Sequence, residues 1–190
     1  MSAGDTPTGV VTFLFTDIEG STRRWESDAD AMRVALACHD KVLRSAIEAH
    51  DGFVFSHSGD GLAAAFASPS AAVEAAVDAQ RELELPVRMG IATGEAELRD
   101  GDYFGTVLNR AARVMAAGHG GQILVAESTA GSSRRRGTRD PWPAAAARRF
   151  SSGDAVSGPR TGATDRVSGP TDSGRESRES ARTYDQLHRA

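Results

Sequence analysis

The chain has 190 residues, 39% of them apolar and 25% charged, with a formal net charge of −4 and a single cysteine, Cys38. That length holds one domain of ordinary size and a tail. No apolar run nears the ~20 residues that a bilayer crossing needs, and one cysteine excludes an internal disulfide framework or a cysteine-rich zinc site. The opening MSAGDTPTG has neither the basic nor the apolar region of a secretory signal, so a cytoplasmic protein with no membrane partner is expected.

Val10–Phe15 (VVTFLF) reads as a buried strand, being short, apolar and rich in β-branched and aromatic side chains. It ends at Thr16-Asp17. Across Asp30–His50, Met32, Leu36, Val42, Leu43, Ala46 and Ile47 recur at helical spacing, and Asp51-Gly52 stops the helix. Phe53–Phe55 and Leu62–Phe66 flank His57-Ser58-Gly59-Asp60-Gly61, the pattern of a hairpin. Ser68 and Pro69 open the next helix as N-cap and first-turn proline. Val73, Ala76, Val77, Gln80 and Leu83 form its inner face, and Pro86 ends it. Val87–Ala92 is a fourth strand and Leu98–Asp102 a turn. Gly105–Ala117 is a helix with Val107, Leu108, Ala111, Ala112 and Met115 inward, and Gln122–Ala126 is a last strand. The order β-α-β-β-α-β followed by α-β predicts an α+β, ferredoxin-like (split βαβ) fold, its helices packed on a sheet with antiparallel pairs.

Beyond residue 130 the composition changes. Residues 131–190 hold 12 Arg and 7 Asp/Glu, a charge of +5, against −9 for residues 1–130. Their Val, Ile, Leu, Met and Phe residues are only Phe150, Val156, Val167 and Leu187. So little apolar surface cannot offset the entropy of ordering. The expected division is a flexible 1–7, a domain at 8–130 and a disordered or frame-altered tail at 131–190. Arginine pairs with phosphates, but here acids, Ser and Gly interleave and only Arg134–Arg136 form a run. Nucleic acid is therefore not expected as a partner of the domain.

The polar residues with chemical potential sit at strand ends and turns. Asp17 follows the first strand, and Gly20, Ser21 and Thr22 suit a turn whose amides could cradle phosphate oxygens. Asp60 lies between two glycines in the hairpin. A ferredoxin-like sheet can bring these carboxylates together, where they repel unless a cation intervenes. Oxygen donors suit Mg²⁺ or Mn²⁺, and two such ions can activate a hydroxyl and clamp a triphosphate. By spacing alone, Asp17 reads equally as a helix N-cap and Asp60 as a turn residue. His39, His50, His57 and His119 have no ligand spacing and are expected to be solvated or locally bonded. Trp25 is expected to pack.

These residues carry a family resemblance. Phe15-Thr16-Asp17-Ile18-Glu19-Gly20-Ser21-Thr22 resembles the first metal motif of the class III adenylate/guanylate cyclases, and Ser58-Gly59-Asp60-Gly61 the second. Arg88-Met89-Gly90-Ile91-Ala92-Thr93-Gly94 is similar to their fourth-strand motif. Asp102-Tyr103-Phe104-Gly105-Thr106-Val107-Leu108-Asn109-Arg110-Ala111-Ala112-Arg113 resembles their substrate and transition-state motif. The likeness spans about residues 8–130.

The resemblance implies a cyclase-homology domain that makes cyclic AMP and pyrophosphate from ATP at a homodimer interface, in intracellular signalling. Asp17, Asp60 and the Ile18 carbonyl would hold two Mg²⁺ or Mn²⁺ ions. Arg88 would contact the triphosphate, Asp102 the adenine amino group and Asn109 the ribose. Arg113 would stabilise charge developing on the α-phosphate, a task suited to a fixed-charge guanidinium fork. Asn109 and Arg113, four apart, share one helix face. Where the family usually carries a base-recognising lysine, four residues before the second metal aspartate, this chain has Ser56, and its only lysine is Lys41. A shorter, uncharged contact predicts weaker or less selective catalysis. The alternative is a catalytically weak or inactive module that binds nucleotide or dimerises to regulate a partner, including a transcription-linked one.

Overall fold

The computed structural model describes residues 6–134 and 147–150. The chain runs β1 (Gly9–Ile18), α1 (Ser21–Ser27), α2 (Ala29–Ala49), β2 (Phe53–Ser58), β3 (Gly61–Phe66), α3 (Pro69–Glu82) and β4 (Val87–Arg99). It continues through β5 (Asp102–Phe104), α4 (Thr106–Ala116), β6 (Ile123–Ala126), α5 (Glu127–Arg134) and β7 (Ala147–Phe150). The seven strands form one sheet in the order β2-β3-β1-β4-β6-β7, with β5 beside β4. Strand β1 lies antiparallel between β3 and β4, and β4 and β6 are parallel. The expected α+β split-βαβ architecture is thus the one the chain adopts.

Alternation along β1 feeds two cores. Leu14 and Ile18 face α2 and α3, joined by Leu43, Ile47, Phe66, Val73, Met89 and Ile91. Val11 and Phe13 face the other way, towards Tyr103, Val107, Ala111 and Val114 beneath α4. Rings support this second core: Phe13 lies 5.0 Å from Tyr103, which lies 5.0 Å from Phe55, both edge to face.

Several local expectations needed adjustment. Gly20 adopts a left-handed φ of 71° and starts α1, a helix of seven residues that lies too short for a periodic signal. The N-cap of α2 is Asp28, whose carboxylate accepts the Ala31 N–H at 2.9 Å. Ser68 is the N-cap residue of α3, yet its hydroxyl bonds the Ser70 hydroxyl at 2.6 Å instead of a first-turn amide. Leu98 and Arg99, expected in a turn, belong to β4. The turn is Asp100-Gly101, with φ of 52° and 88°, and it folds β4 back onto β5. The boundary expected at 131 falls inside α5, and β7 pairs parallel with β6 beyond it. An edge strand needs backbone pairing more than apolar side chains, so composition understated order there. The rest of the expected tail lies outside the described residues.

Helix α4 meets the sheet at Gly90. A Cβ there would stand 2.3 Å from the Met115 amide nitrogen and 2.7 Å from the Ala111 carbonyl oxygen. Gly90→Ala is therefore expected to lift α4 and cost about 1–3 kcal/mol. Thermal melting followed by circular dichroism should show a midpoint roughly 4–12 °C lower.

Candidate active site

Register places the first functional pair. Asp17 on β1 lies directly across from Arg88 on β4. The guanidinium donates to the same carboxylate oxygen, Asp17 Oδ2, from Nε at 2.8 Å and Nη2 at 2.6 Å. The side chains are 29% (Arg88) and 24% (Asp17) exposed, so this ion pair is half sheltered at the open end of the sheet. Both of these bonds go to Oδ2, and neither uses Asp17 Oδ1.

The hairpin supplies the second carboxylate. Strand β1 pairs with β3 through Thr16↔Leu62, and Asp60 lies in the turn just before Gly61, where β3 begins. Two bonds hold the crossing: the Leu62 N–H donates to Thr16 Oγ1, and Thr16 Oγ1 donates to the Leu62 carbonyl, each at 3.3 Å. Gly59, with φ of 60°, makes the turn. At Gly61 a Cβ would stand 3.3 Å from the Thr16 carbonyl oxygen, so a side chain would crowd the approach of β1 and β3. Asp60 Oδ2 is buried there without a hydrogen-bond partner.

The third donor is a backbone oxygen. The Glu19 N–H donates to the Pro86 carbonyl at 2.9 Å, towards β4. In a trans peptide the preceding C=O points the opposite way. The Ile18 carbonyl therefore faces the β3 side, where Asp60 turns. An orphaned carboxylate oxygen, a second carboxylate and a carbonyl are hard donors that fit Mg²⁺ or Mn²⁺ completed by water and phosphate oxygens. Among the described residues no cluster of three or more His, Cys, Asp or Glu side chains could hold a metal.

Ser56 reaches this face through a bulge. Val54 pairs with Ala64 and Ser56 with Ala63, leaving Phe55 as the extra residue. Ser56 consequently shares the row of Ala63 and Phe15. His57 turns to the α2 side, its Nε2 3.3 Å from Asp40 Oδ2. Gly20 caps α1 without a side-chain bond, which leaves the first-turn amides of Ser21 and Thr22 open.

Asp102 comes from β5, and Asn109 and Arg113 come from α4. Asp102 starts β5 across from Arg99, and all three are exposed. Asn109 and Arg113 lie on the outer side of α4, whose inner side is Val107, Leu108, Ala111 and Val114. Among the described residues Arg113 makes no ion pair with Asp17 or Asp60.

Of His39, His50, His57 and His119, expected to be solvated or locally bonded, only His39 bonds a sequence neighbour; His50 and His119 reach carboxylates far along the chain. His39 is nevertheless buried and not solvated, its Nδ1 3.0 Å from Asp40 Oδ1, and His50 Nε2 lies 2.9 Å from Asp78. Trp25 packs on the α2/α3 core. Sequence reasoning gave no role to Glu19. Its carboxylate accepts the Gly120 N–H at 2.9 Å and faces His119 Nδ1 at 3.4 Å. Those contacts hold the Glu19 carboxyl below its ordinary range. No periodicity could reveal a bond spanning a hundred positions.

The family profile described as the adenylate and guanylate cyclase catalytic domain matches residues 5–139. The chain belongs to this cyclase family. An uncharacterized protein of Mycobacterium tuberculosis is 39% identical over 140 residues, covering 72% of this chain and 49% of that protein. An adenylate cyclase of Lachancea kluyveri is 32% identical over 153 residues, covering 63% of this chain and 8% of the enzyme. Among solved structures, an adenylate cyclase from Trypanosoma brucei, described in its monomeric state, is 30% identical with a TM-score of 0.62, covering 68% of this chain and 78% of the other. The cyclase chain thus spans about half the length, or less, of the curated relatives it matches. No helix among its described residues is long and apolar enough to cross a membrane.

Proposed function

We propose that this cyclase domain converts ATP to cyclic AMP and pyrophosphate in the cytoplasm, at sites assembled by two copies of the chain. The observation that carries the reading is the buried, unpartnered Oδ2 of Asp60, in the turn that opens β3, the strand paired with the β1 segment leading to Asp17. A carboxylate in that state calls for a cation. Two Mg²⁺ or Mn²⁺ ions bound there would lower the pKa of the 3′-hydroxyl and neutralise triphosphate charge.

The side chains divide the remaining work. Asp17, Asp60 and the Ile18 carbonyl would hold the metal ions. Arg88 exchanges its Asp17 partner for triphosphate oxygens, joined by the open amides of Gly20, Ser21 and Thr22. Asp102 accepts a hydrogen bond from the adenine amino group and Ser56 offers a second, weaker base contact. Asn109 orients the ribose so that its 3′-oxygen lies in line with the α-phosphorus. The 3′-oxygen bonds to that phosphorus, the bond to the β-phosphate bridging oxygen breaks, and the hydroxyl proton passes to solvent. Arg113 stabilises the charge that develops on the α-phosphate. The exposure of Asp102, Asn109 and Arg113 supports delivery to the site of a second chain.

Purified protein incubated with Mn²⁺ and ATP is expected to release cyclic AMP and pyrophosphate; absence of both at high enzyme concentration sinks the reading. Ser56→Lys restores a charged base contact and is expected to raise kcat/KM for ATP about tenfold, with a smaller gain for GTP. The second reading, a domain that binds nucleotide without turning it over, is favoured by Ser56 alone. It predicts ATP affinity by calorimetry with no pyrophosphate release.

A further inference from the structure

Glu19 is the first residue beyond β1 and directly follows Ile18. Three of its atoms are anchored. Its N–H bonds the Pro86 carbonyl at 2.9 Å, Oε2 accepts the Gly120 N–H at 2.9 Å, and Oε1 lies 3.4 Å from His119 Nδ1. His119 and Gly120 belong to the turn between α4 and β6, so the side chain crosses from the end of β1 to the C-terminal end of α4.

That turn is itself closely held. The Gly121 N–H donates to the Val87 carbonyl at 2.8 Å, and the His119 N–H to Gln122 Oε1 at 3.0 Å. A Cβ on Gly120 would stand 2.5 Å from Pro86 Cβ and 3.0 Å from Glu19 Oε2. The glycine thus lets the turn approach β1 closely enough for its amide to reach Glu19. The contact is specific in geometry, and the carboxylate is too exposed for its charge to act over distance.

The geometry points to Glu19 as a positioning residue that joins the Ile18 peptide, in the metal half of one site, to α4, which carries Asn109 and Arg113 for the other site. The inference rests on the two-chain cyclase reading. The Ile18 carbonyl and the Glu19 N–H share one peptide plane, so a shift of that carbonyl towards a cation tilts the residue bonded to Gly120. In a symmetric dimer, occupancy of one site is thereby felt by the helix serving the other, a coupling through packed and bonded groups.

The hydrogen-bonding oxygen matters here, so Gln should replace Glu19 and Ala should not. Glu19→Ala in the full chain is expected to weaken Mn²⁺ binding about tenfold by electron paramagnetic resonance of the free ion, the low end for an outer-shell partner. It should lower kcat by a similar factor, leave KM for ATP within about twofold and speed amide exchange at Gly120. In wild type, Mn²⁺ should slow that exchange; in Glu19→Ala it should not. Glu19→Gln is expected to restore each value to within about threefold. The thermal midpoint should stay within about 3 °C of wild type.

Unchanged Mn²⁺ affinity and Gly120 exchange in Glu19→Ala would overturn the inference. So would a Gln variant as impaired as Ala, which would put the charge of Glu19 on the metal or substrate. Collapse of the fold in Glu19→Ala would replace positioning by a structural role. If wild type makes no cyclic nucleotide, Mn²⁺ affinity and Gly120 exchange still decide whether the connection exists, so the two readings fail separately.

Discussion

Asp60→Asn is expected to cut cyclic AMP formation by about a hundredfold to a thousandfold while leaving the metal-free protein at least as stable as wild type. The first effect follows from losing an anionic ligand whose metal would supply several kcal/mol of transition-state stabilisation, at 1.36 kcal/mol for each tenfold. The second follows from the buried Oδ2, which has no donor facing it. An amide keeps the shape of the carboxylate and removes a charge that has no cation beside it. Melting curves check both halves together. Wild type should gain several degrees on adding Mn²⁺, since ligand at about 100 times its dissociation constant adds ~2.7 kcal/mol. The variant should gain almost nothing. A variant that melts well below wild type without metal, or keeps the Mn²⁺ shift, removes Asp60 from the metal site. Asp17→Ala should remove activity likewise. It also releases Arg88 from its two bonds to Asp17 Oδ2, so its effect on stability is mixed and Asp60 gives the cleaner test.

Arg113→Ala is expected to lower kcat by about a hundredfold or more, with KM for ATP changed little, because the guanidinium acts on charge that appears only in the transition state. Arg113 is exposed on α4, and no salt bridge to it is found among the described residues. Stability should therefore be unchanged. Mixing this variant with Asp60→Asn tests the architecture. If each site takes its carboxylates from one chain and its arginine from the other, half of the randomly formed dimers are mixed. Each of those has one intact site in two, so activity returns to about a quarter of wild type. Sites built within single chains would regain nothing on mixing, and that result would reject the two-chain arrangement.

The helices and strands were legible because their signals are local. The apolar, β-branched and aromatic run of Val10–Phe15 and the helical spacing in Asp30–His50 correspond to β1 and α2 within a few residues. The short α1, the long β4 and its partner β5 were not, since a left-handed Gly20 and the Asp100-Gly101 turn act through backbone geometry that composition records weakly. β7 was missed for a related reason: its place comes from pairing with β6, not from apolar content.

The candidate site divides along the same line. Residue types and motif order were enough to single out Asp17, Asp60, Arg88, Asn109 and Arg113 and to attach the chain to the cyclases. Tertiary structure alone decided that Arg88 bonds Asp17, that a bulge pairs Ser56 with Ala63, that Asp60 Oδ2 is buried without a hydrogen-bond partner, and that Glu19 reaches Gly120. These relations join positions far apart along the chain. They depend on strand register, and register is chosen by the packing of both faces of the sheet at once rather than by any short stretch of residues.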